Sequence, residues 1–202
     1  MDGSGRIYPV AFILPIIFTR ANNMTIPSPK KSLRILFLTG GSGAGKTTLV
    51  DALGKALPAD SVVCLHFDSI GVPSEADMIK QYGSGREWQR VMTYRWVERL
   101  VNDYADKDFV IFEGQVDLQF IMDAFKQAGF DRYQIVLVHC NDAIRHQRLH
   151  SDRKQPELIN AAMDNWAAYL KKQAGELHIP IFESSSKNLY EAVAWLIKNY
   201  MS

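Results

Sequence analysis

Nine consecutive residues set the chemistry this chain can attempt: Gly40-Gly41-Ser42-Gly43-Ala44-Gly45-Lys46-Thr47-Thr48. They fit the pattern G-x-x-x-x-G-K-[ST] in full. Each part of the pattern has a physical reason. The glycines let the backbone turn tightly, so that its N–H groups converge on phosphate oxygens. A helix starting near Gly45 aims its positive end at the same anion. Lys46 supplies a mobile charge for the β- and γ-phosphates, and Thr47 can place a hydroxyl on Mg²⁺. The residues therefore predict a site for a nucleoside triphosphate with magnesium.

Three further sets of residues could act beside that loop. Asp108-Phe-Val-Ile-Phe-Glu113-Gly114 ends an apolar run in a carboxylate. Glu113, at the carboxyl end of that run, is favoured over Asp108 to hold Mg²⁺ through water or to orient a nucleophile; a strand-end carboxylate facing solvent is the bland alternative. Asp68, in His66-Phe67-Asp68-Ser69, follows another apolar run. It could take a proton from a substrate hydroxyl, or simply cap the turn before Pro73. His66 reads as a satisfied strand-end histidine. Arg145 and Arg148 are spaced for one helix face, with Arg153 and Lys154 just after them. They read either as cations that stabilise a transferring phosphoryl group, Arg148 and Arg153 first among them, or as a solvated basic face.

Elements that could position these groups follow from periodicity. Short apolar runs at 33–39, 61–66, 109–112, 134–139 and 179–182 read as buried parallel strands. Between them lie helical patterns at 45–57, 86–104, 116–127, 143–150 and 156–177, with a last one from 188 to about 200. Five strands joined by helices predict an α/β fold, a three-layer doubly wound parallel sheet. In such sheets ligands bind beyond the carboxyl ends of the strands. The segment 71–96 contains Arg86, Gln89 and Arg90, which could meet an anionic or polar substrate. Trp88 fits an aromatic wall, or better a core-facing helical stripe.

On these motifs the chain from Leu33 to Ser202 resembles the P-loop NTPases, and its layout is most similar to the P-loop kinases. The resemblance implies a sheet in the order 2-3-1-4-5 and a short lid spanning Arg148 to Lys154. The run VIFEG is similar to the strand ending in Glu-Gly of uridine-kinase-like and pantothenate-kinase-like enzymes. Many P-loop proteins carry Asp there instead. Asp68 matches the base that follows the second strand in nucleoside-kinase-like proteins. Ser184–Lys187 resembles the loop bordering adenine, and the acceptor is expected over 71–96.

Composition narrows the rest. The chain has 202 residues with 23 basic and 22 acidic side chains, a formal net charge of +1. That length suits one main domain, and that balance gives no global field for a polyanion, so neither nucleic acid nor a stable membrane association is expected. Cys64 and Cys140 lie in apolar runs and read as reduced core residues, in keeping with a cytoplasmic protein. The eleven-residue apolar run Tyr8–Phe18 is too short to span a bilayer, and Pro9 and Pro15 interrupt it. Residues 1–32 are read as a leader outside the domain, with 33–202 as the domain itself. Either Met24 is the true start, or the run is a signal or interfacial anchor.

The leading function is an ATP- and Mg²⁺-dependent transfer of a phosphoryl group to a small-molecule acceptor. An ATP-hydrolysing or ATP-binding regulatory module without an acceptor is the alternative. A guanine-nucleotide switch is disfavoured, because no Asn-Lys-x-Asp is present.

Overall fold

The structure is a computed structural model and describes residues 32–201. The expected leader, up to residue 31, lies outside the described residues. The first strand, β1 (Arg34–Thr39), is apolar on both faces. Ile35 and Phe37 enter one core and Leu36 and Leu38 the other. A strand built this way must be covered on both sides, and the chain supplies the cover as helices.

In chain order these are α1 (Lys46–Ala56), β2 (Val62–His66), α2 (Glu75–Tyr82), α3 (Gly85–Asn102), β3 (Phe109–Gly114), α4 (Leu118–Gln127) and β4 (Tyr133–His139). Then come α5 (Asp142–Gln147), α6 (Ala161–Glu176), β5 (Ile181–Glu183) and α7 (Leu189–Leu196). The five strands are all parallel, in the order β2-β3-β1-β4-β5. This is the three-layer doubly wound sheet expected, with β1 at its centre.

One face is covered by α3, α4 and α6. Its core joins Phe37 and Phe112, edge to face at 5.0 Å, to Trp96, Leu100, Phe125 and Leu170. Trp88 is 7% exposed in this core and contacts Phe67, so it is a core residue. The other face is covered by α1 and α7 through Leu49, Val50, Leu53 and Leu196. Burying one such side chain contributes roughly 1.5–3 kcal/mol, which is why the strands hold their register.

Several boundaries differ from the expected ones. Helix α2 sits in a stretch to which the sequence assigns no element. Ser74 caps it by accepting from the Asp77 N–H, and none of its residues is fully buried, so no apolar stripe marks it. The helix expected from Pro156 begins only at Ala161, capped by Asn160, while Pro156–Leu158 makes a single 3₁₀ turn. Strand β3 runs on through Glu113 and Gly114, so the acidic residue belongs to the strand itself. After α5 the backbone loosens into a π turn over Arg148–Asp152. The last helix has the expected capping box between Asn188 and Glu191. Both cysteines are free, and burial pushes the Cys64 thiol up to about 11. Among the described residues no helix is long and apolar enough to cross a membrane.

Candidate active site

The glycine loop leaves β1 at its carboxyl end. The Thr39 hydroxyl donates to the Val116 carbonyl at 2.7 Å and accepts from the Val116 N–H at 3.1 Å, tying the exits of β1 and β3 together. At Gly40 a Cβ would stand 2.2 Å from the Val138 carbonyl oxygen, so only glycine fits. Gly45 precedes α1 with φ 98°, a left-handed conformation that costs other residues energy. No side chain caps α1, so its first-turn N–H groups are left for a ligand.

Lys46 is buried under the loop and donates to the carbonyls of Gly40 at 2.9 Å and Gly41 at 3.2 Å. Burial lowers its pKa; Glu113 and Asp68 work against that, and Arg153 adds to it. The ammonium is therefore held where anionic oxygens would relieve a real desolvation cost.

Glu113 stands opposite Leu38 of β1 and His66 of β2 in the sheet register. Its Oε1 accepts from the Thr47 hydroxyl at 3.0 Å and lies 2.9 Å from His66 Nδ1. The far nitrogen of His66 is 3.4 Å from Asp51 on α1. His66 is thus satisfied, as expected, but its partner is the strand-end carboxylate beside the loop. Neither contact is visible in the sequence, because the pairing of β2 with β3 creates it.

Asp68 lies in a 3₁₀ turn, Phe67–Ile70, just beyond β2. It is exposed, yet its carboxyl holds its proton more tightly than an ordinary aspartate. Partial desolvation is the main cause and the Glu113 charge adds to it, while Lys46, Arg153 and His66 oppose. Those couplings put Asp68 in electrostatic reach of Lys46, Glu113 and Arg153 together.

The basic cluster divides. Arg145 is 1% exposed and pairs with Asp142 and Asp164, so it is a buried brace under the loop and not part of a solvated face. A Cβ at Gly43 would touch both its side chain and its carbonyl. Arg148 donates to Ser184 Oγ at 2.9 Å and to the carbonyls of Ala44 and Ser184, both at 3.3 Å. It binds the glycine loop to the loop after β5. Among the described residues the Arg153 side chain has no such anchor, and it lines the same cavity as Arg148.

That cavity has a volume of about 400 Å³ and runs from Gly43, Gly45, Lys46, Thr47 and Thr48 to Ser184, Lys187 and Leu189. It has the glycine loop and the first turn of α1 at one end and an apolar wall of Leu189 and Ala192 at the other. A larger cavity of about 640 Å³ lies at the amino-terminal ends of β4 and β5, remote from the loop. In a parallel sheet that is the wrong end for the ligand, and it collects none of the groups above.

Among the described residues, no group of three or more His, Cys, Asp or Glu is placed to hold a metal. This donor set still suits Mg²⁺, which takes one or two protein oxygens and completes its shell with phosphate and water. The Thr47 hydroxyl and Glu113 carboxylate, already in contact, are the oxygens that could serve.

Arg86, Gln89 and Arg90 do not converge on an open anion site. Arg86 pairs with the fully buried Asp117 at 3.1 Å, and Arg90 pairs with Glu87. Gln89 spends its amide on the Gln115 carbonyl and the Asp117 N–H.

No protein-family profile and no curated protein matches this sequence. Solved structures match its fold. The shikimate kinase of Acinetobacter baumannii, in complex with shikimate, has 18% identity and a TM-score of 0.55 over 83% of this chain and 92% of its own. Deoxyadenosine kinase of M. mycoides, with bound dATP, has 13% identity and a TM-score of 0.54 over 83% of this chain and 99% of its own. The chain has the P-loop kinase fold. The tunicamycin resistance protein of Deinococcus radiodurans shares it, at 16% identity and a TM-score of 0.56 over 82% of this chain and 94% of its own. Within this fold Thr47 joins the two parts of the site: it lines the cavity over α1 and donates to Glu113 at the exit of β3.

Proposed function

We propose that this protein transfers the γ-phosphoryl group of ATP to a small-molecule acceptor, with Mg²⁺. The observation that carries the reading is the meeting of Lys46, Thr47 and Glu113 at the glycine loop, with Asp68 in electrostatic reach of all of them through Lys46 and Glu113.

The residues from Gly40 to Thr48 hold the phosphates: Gly40, Gly41, Ser42, Gly43, Ala44 and Gly45 through the backbone turn, Lys46 by charge, and Thr47 and Thr48 from the first turn of α1. Leu189 and Ala192 suit the flat apolar face of adenine, with Ser184 and Lys187 at its edge. Thr47 and Glu113 would hold Mg²⁺, which would supply neutralisation of the charge on the phosphates.

The acceptor hydroxyl approaches from the side of β2. Asp68 takes its proton as the oxygen–phosphorus bond forms and the bond to the leaving ADP oxygen breaks. Its raised pKa makes it a stronger base than an ordinary aspartate. Lys46 and Arg153 offset the charge that builds on the transferring group. Arg148 acts from its place between Ala44 and Ser184, fixing the loop against the nucleotide wall. Both substrates are drawn from the cytoplasm in this reading.

The test is transfer of label from γ-labelled ATP into an organic product, with and without Mg²⁺, in wild type and Lys46→Ala. Magnesium-dependent transfer that the variant loses supports the reading. Release of inorganic phosphate alone, at a rate no acceptor changes, would replace it with an ATPase.

A further inference from the structure

We infer that the acceptor is an uncharged hydroxyl compound with an apolar body, rather than a carboxylate or a phosphate ester. The inference rests on the phosphotransfer reading above and adds the class of acceptor.

The segment from Asp68 to Trp96, between β2 and β3, carries four cations: Lys80, Arg86, Arg90 and Arg95. Three are committed elsewhere. Arg86 is the counter-charge of Asp117, whose side chain is fully buried. Drawing Arg86 toward a ligand would leave that carboxylate without its cation in the interior, which is strongly unfavourable. Arg90 sits against Glu87, one turn away, so an anion reaching Arg90 also meets a carboxylate. Arg95 lines a separate cleft between α3 and α4, in company with Glu98. Lys80 remains on exposed α2, three residues from Asp77.

Beside the glycine loop, at the exit of β3, stands an uncharged pair of amides, Gln89 and Gln115. Gln89 donates to the Gln115 carbonyl at 2.9 Å, and Ser42 of the glycine loop donates to Gln115 Oε1 at 2.8 Å. Among the described residues the Gln115 amide nitrogen meets the Met163 sulfur at 4.0 Å, and its second hydrogen is a donor for a neutral ligand oxygen. Asp68 and Glu113 add negative charge there, and each raises the cost of a second anion. Of the cations coupled to Asp68, Lys46 lies under the glycine loop and Arg153 lines the cavity over it, both on the phosphate side.

Apolar surface is present instead. Ile70, Val72 and Ile79 are exposed at 44%, 54% and 52%, and all fall within the stretch that follows Asp68. Ile79 lies on α2, which buries none of its residues completely. Ile70 shares the 3₁₀ turn of Asp68, and exposed apolar side chains on this stretch suit the apolar body of a ligand whose hydroxyl reaches that base.

The experiment uses the whole protein, γ-labelled ATP and Mg²⁺ with a small-molecule extract of the producing cells. The extract is split by anion exchange, and the unretained part is then split by reversed phase. Labelled product is expected from the unretained, reversed-phase-bound fraction. Product from the anion-exchange-bound fraction alone overturns the inference and leaves phosphotransfer intact, as does product confined to the unretained fraction that also passes the reversed phase. Label in no organic product overturns both. Ile79→Asp, at an exposed position, should then lower kcat/KM for the isolated acceptor by about fivefold or more, with ATP affinity unchanged. An unchanged kcat/KM would remove the apolar contact from the proposal.

Discussion

His66 Nδ1 and Glu113 Oε1 meet at 2.9 Å across the ends of neighbouring strands, and the same carboxylate oxygen takes the Thr47 hydroxyl at 3.0 Å. Glu113 is thereby held from two sides before any ligand arrives. Asp51, at 3.4 Å from the other ring nitrogen, fixes the orientation of the imidazole. A carboxylate fixed in this way loses little freedom on meeting a metal or a water.

His66 should accordingly act as a positioning residue for Glu113. His66→Ala is expected to raise the Mg²⁺ concentration needed for half-maximal ATP binding by about tenfold, the usual scale for an outer partner of a metal-holding group. His66→Asn keeps a donor near the Nδ1 position and should restore most of the loss. Calorimetric titration of ATP at graded Mg²⁺ reads both. Equal affinities in all three proteins would make the His66–Glu113 contact purely structural.

Asp68 should titrate above the ordinary aspartate range in the protein without ligands. Glu113 raises its pKa and Arg153 lowers it. Glu113→Gln should therefore move the Asp68 midpoint down, and Arg153→Ala should move it up. Carboxyl NMR titration checks the two signs independently. Shifts in the reverse directions would show that Asp68 faces away from both.

The same shift has a consequence for stability. A carboxyl whose folded pKa is raised opposes folding above that pKa, and the opposition vanishes once the pH falls below the unfolded value of about 3.9. Asp68→Asn is expected to match or exceed the melting temperature of the wild type at neutral pH. The gain should shrink as the pH is lowered toward 4. A variant less stable at neutral pH would assign Asp68 to the turn it occupies and not to the site.

Arg145 should support the glycine loop from below. Its guanidinium is buried, one of its nitrogens has no partner, and Asp164 and Asp142 provide its charge balance. Asp164→Asn leaves the shape and removes the charge that the buried cation relies on. The melting temperature should fall and ATP affinity should weaken with it, because Gly43 rests on Arg145. Unaltered ATP affinity in a destabilised variant would separate the brace from the loop.

The parts of this site that were legible from sequence are local. Gly40–Thr48 carries its own meaning because adjacent residues build the cradle, and the strand ending in Glu113 announces its carboxylate by position. The strand order followed from the resemblance that those motifs established. What stayed hidden depends on distant residues. Arg145 and Arg148 share a spacing, and the pairing of Arg145 with Asp164, 19 positions away, tells them apart. His66 reaches Glu113 through sheet pairing over 47 positions. The cations of 71–96 looked available for an anion because Asp117, which claims Arg86, lies beyond the next strand. Helix α2 was missed for a different reason: it rests on Ser74 and Gly83 caps and packs too lightly to show an apolar face.

The most direct test of the central proposal is single-turnover transfer from γ-labelled ATP to the acceptor fraction, measured for wild type and Asp68→Asn at saturating Mg²⁺ and ATP. With Asp68 as the base, the variant should bind ATP normally and transfer label about 100-fold more slowly into the same organic product. Transfer at the wild-type rate by Asp68→Asn, or label appearing only as inorganic phosphate in both proteins, would contradict it.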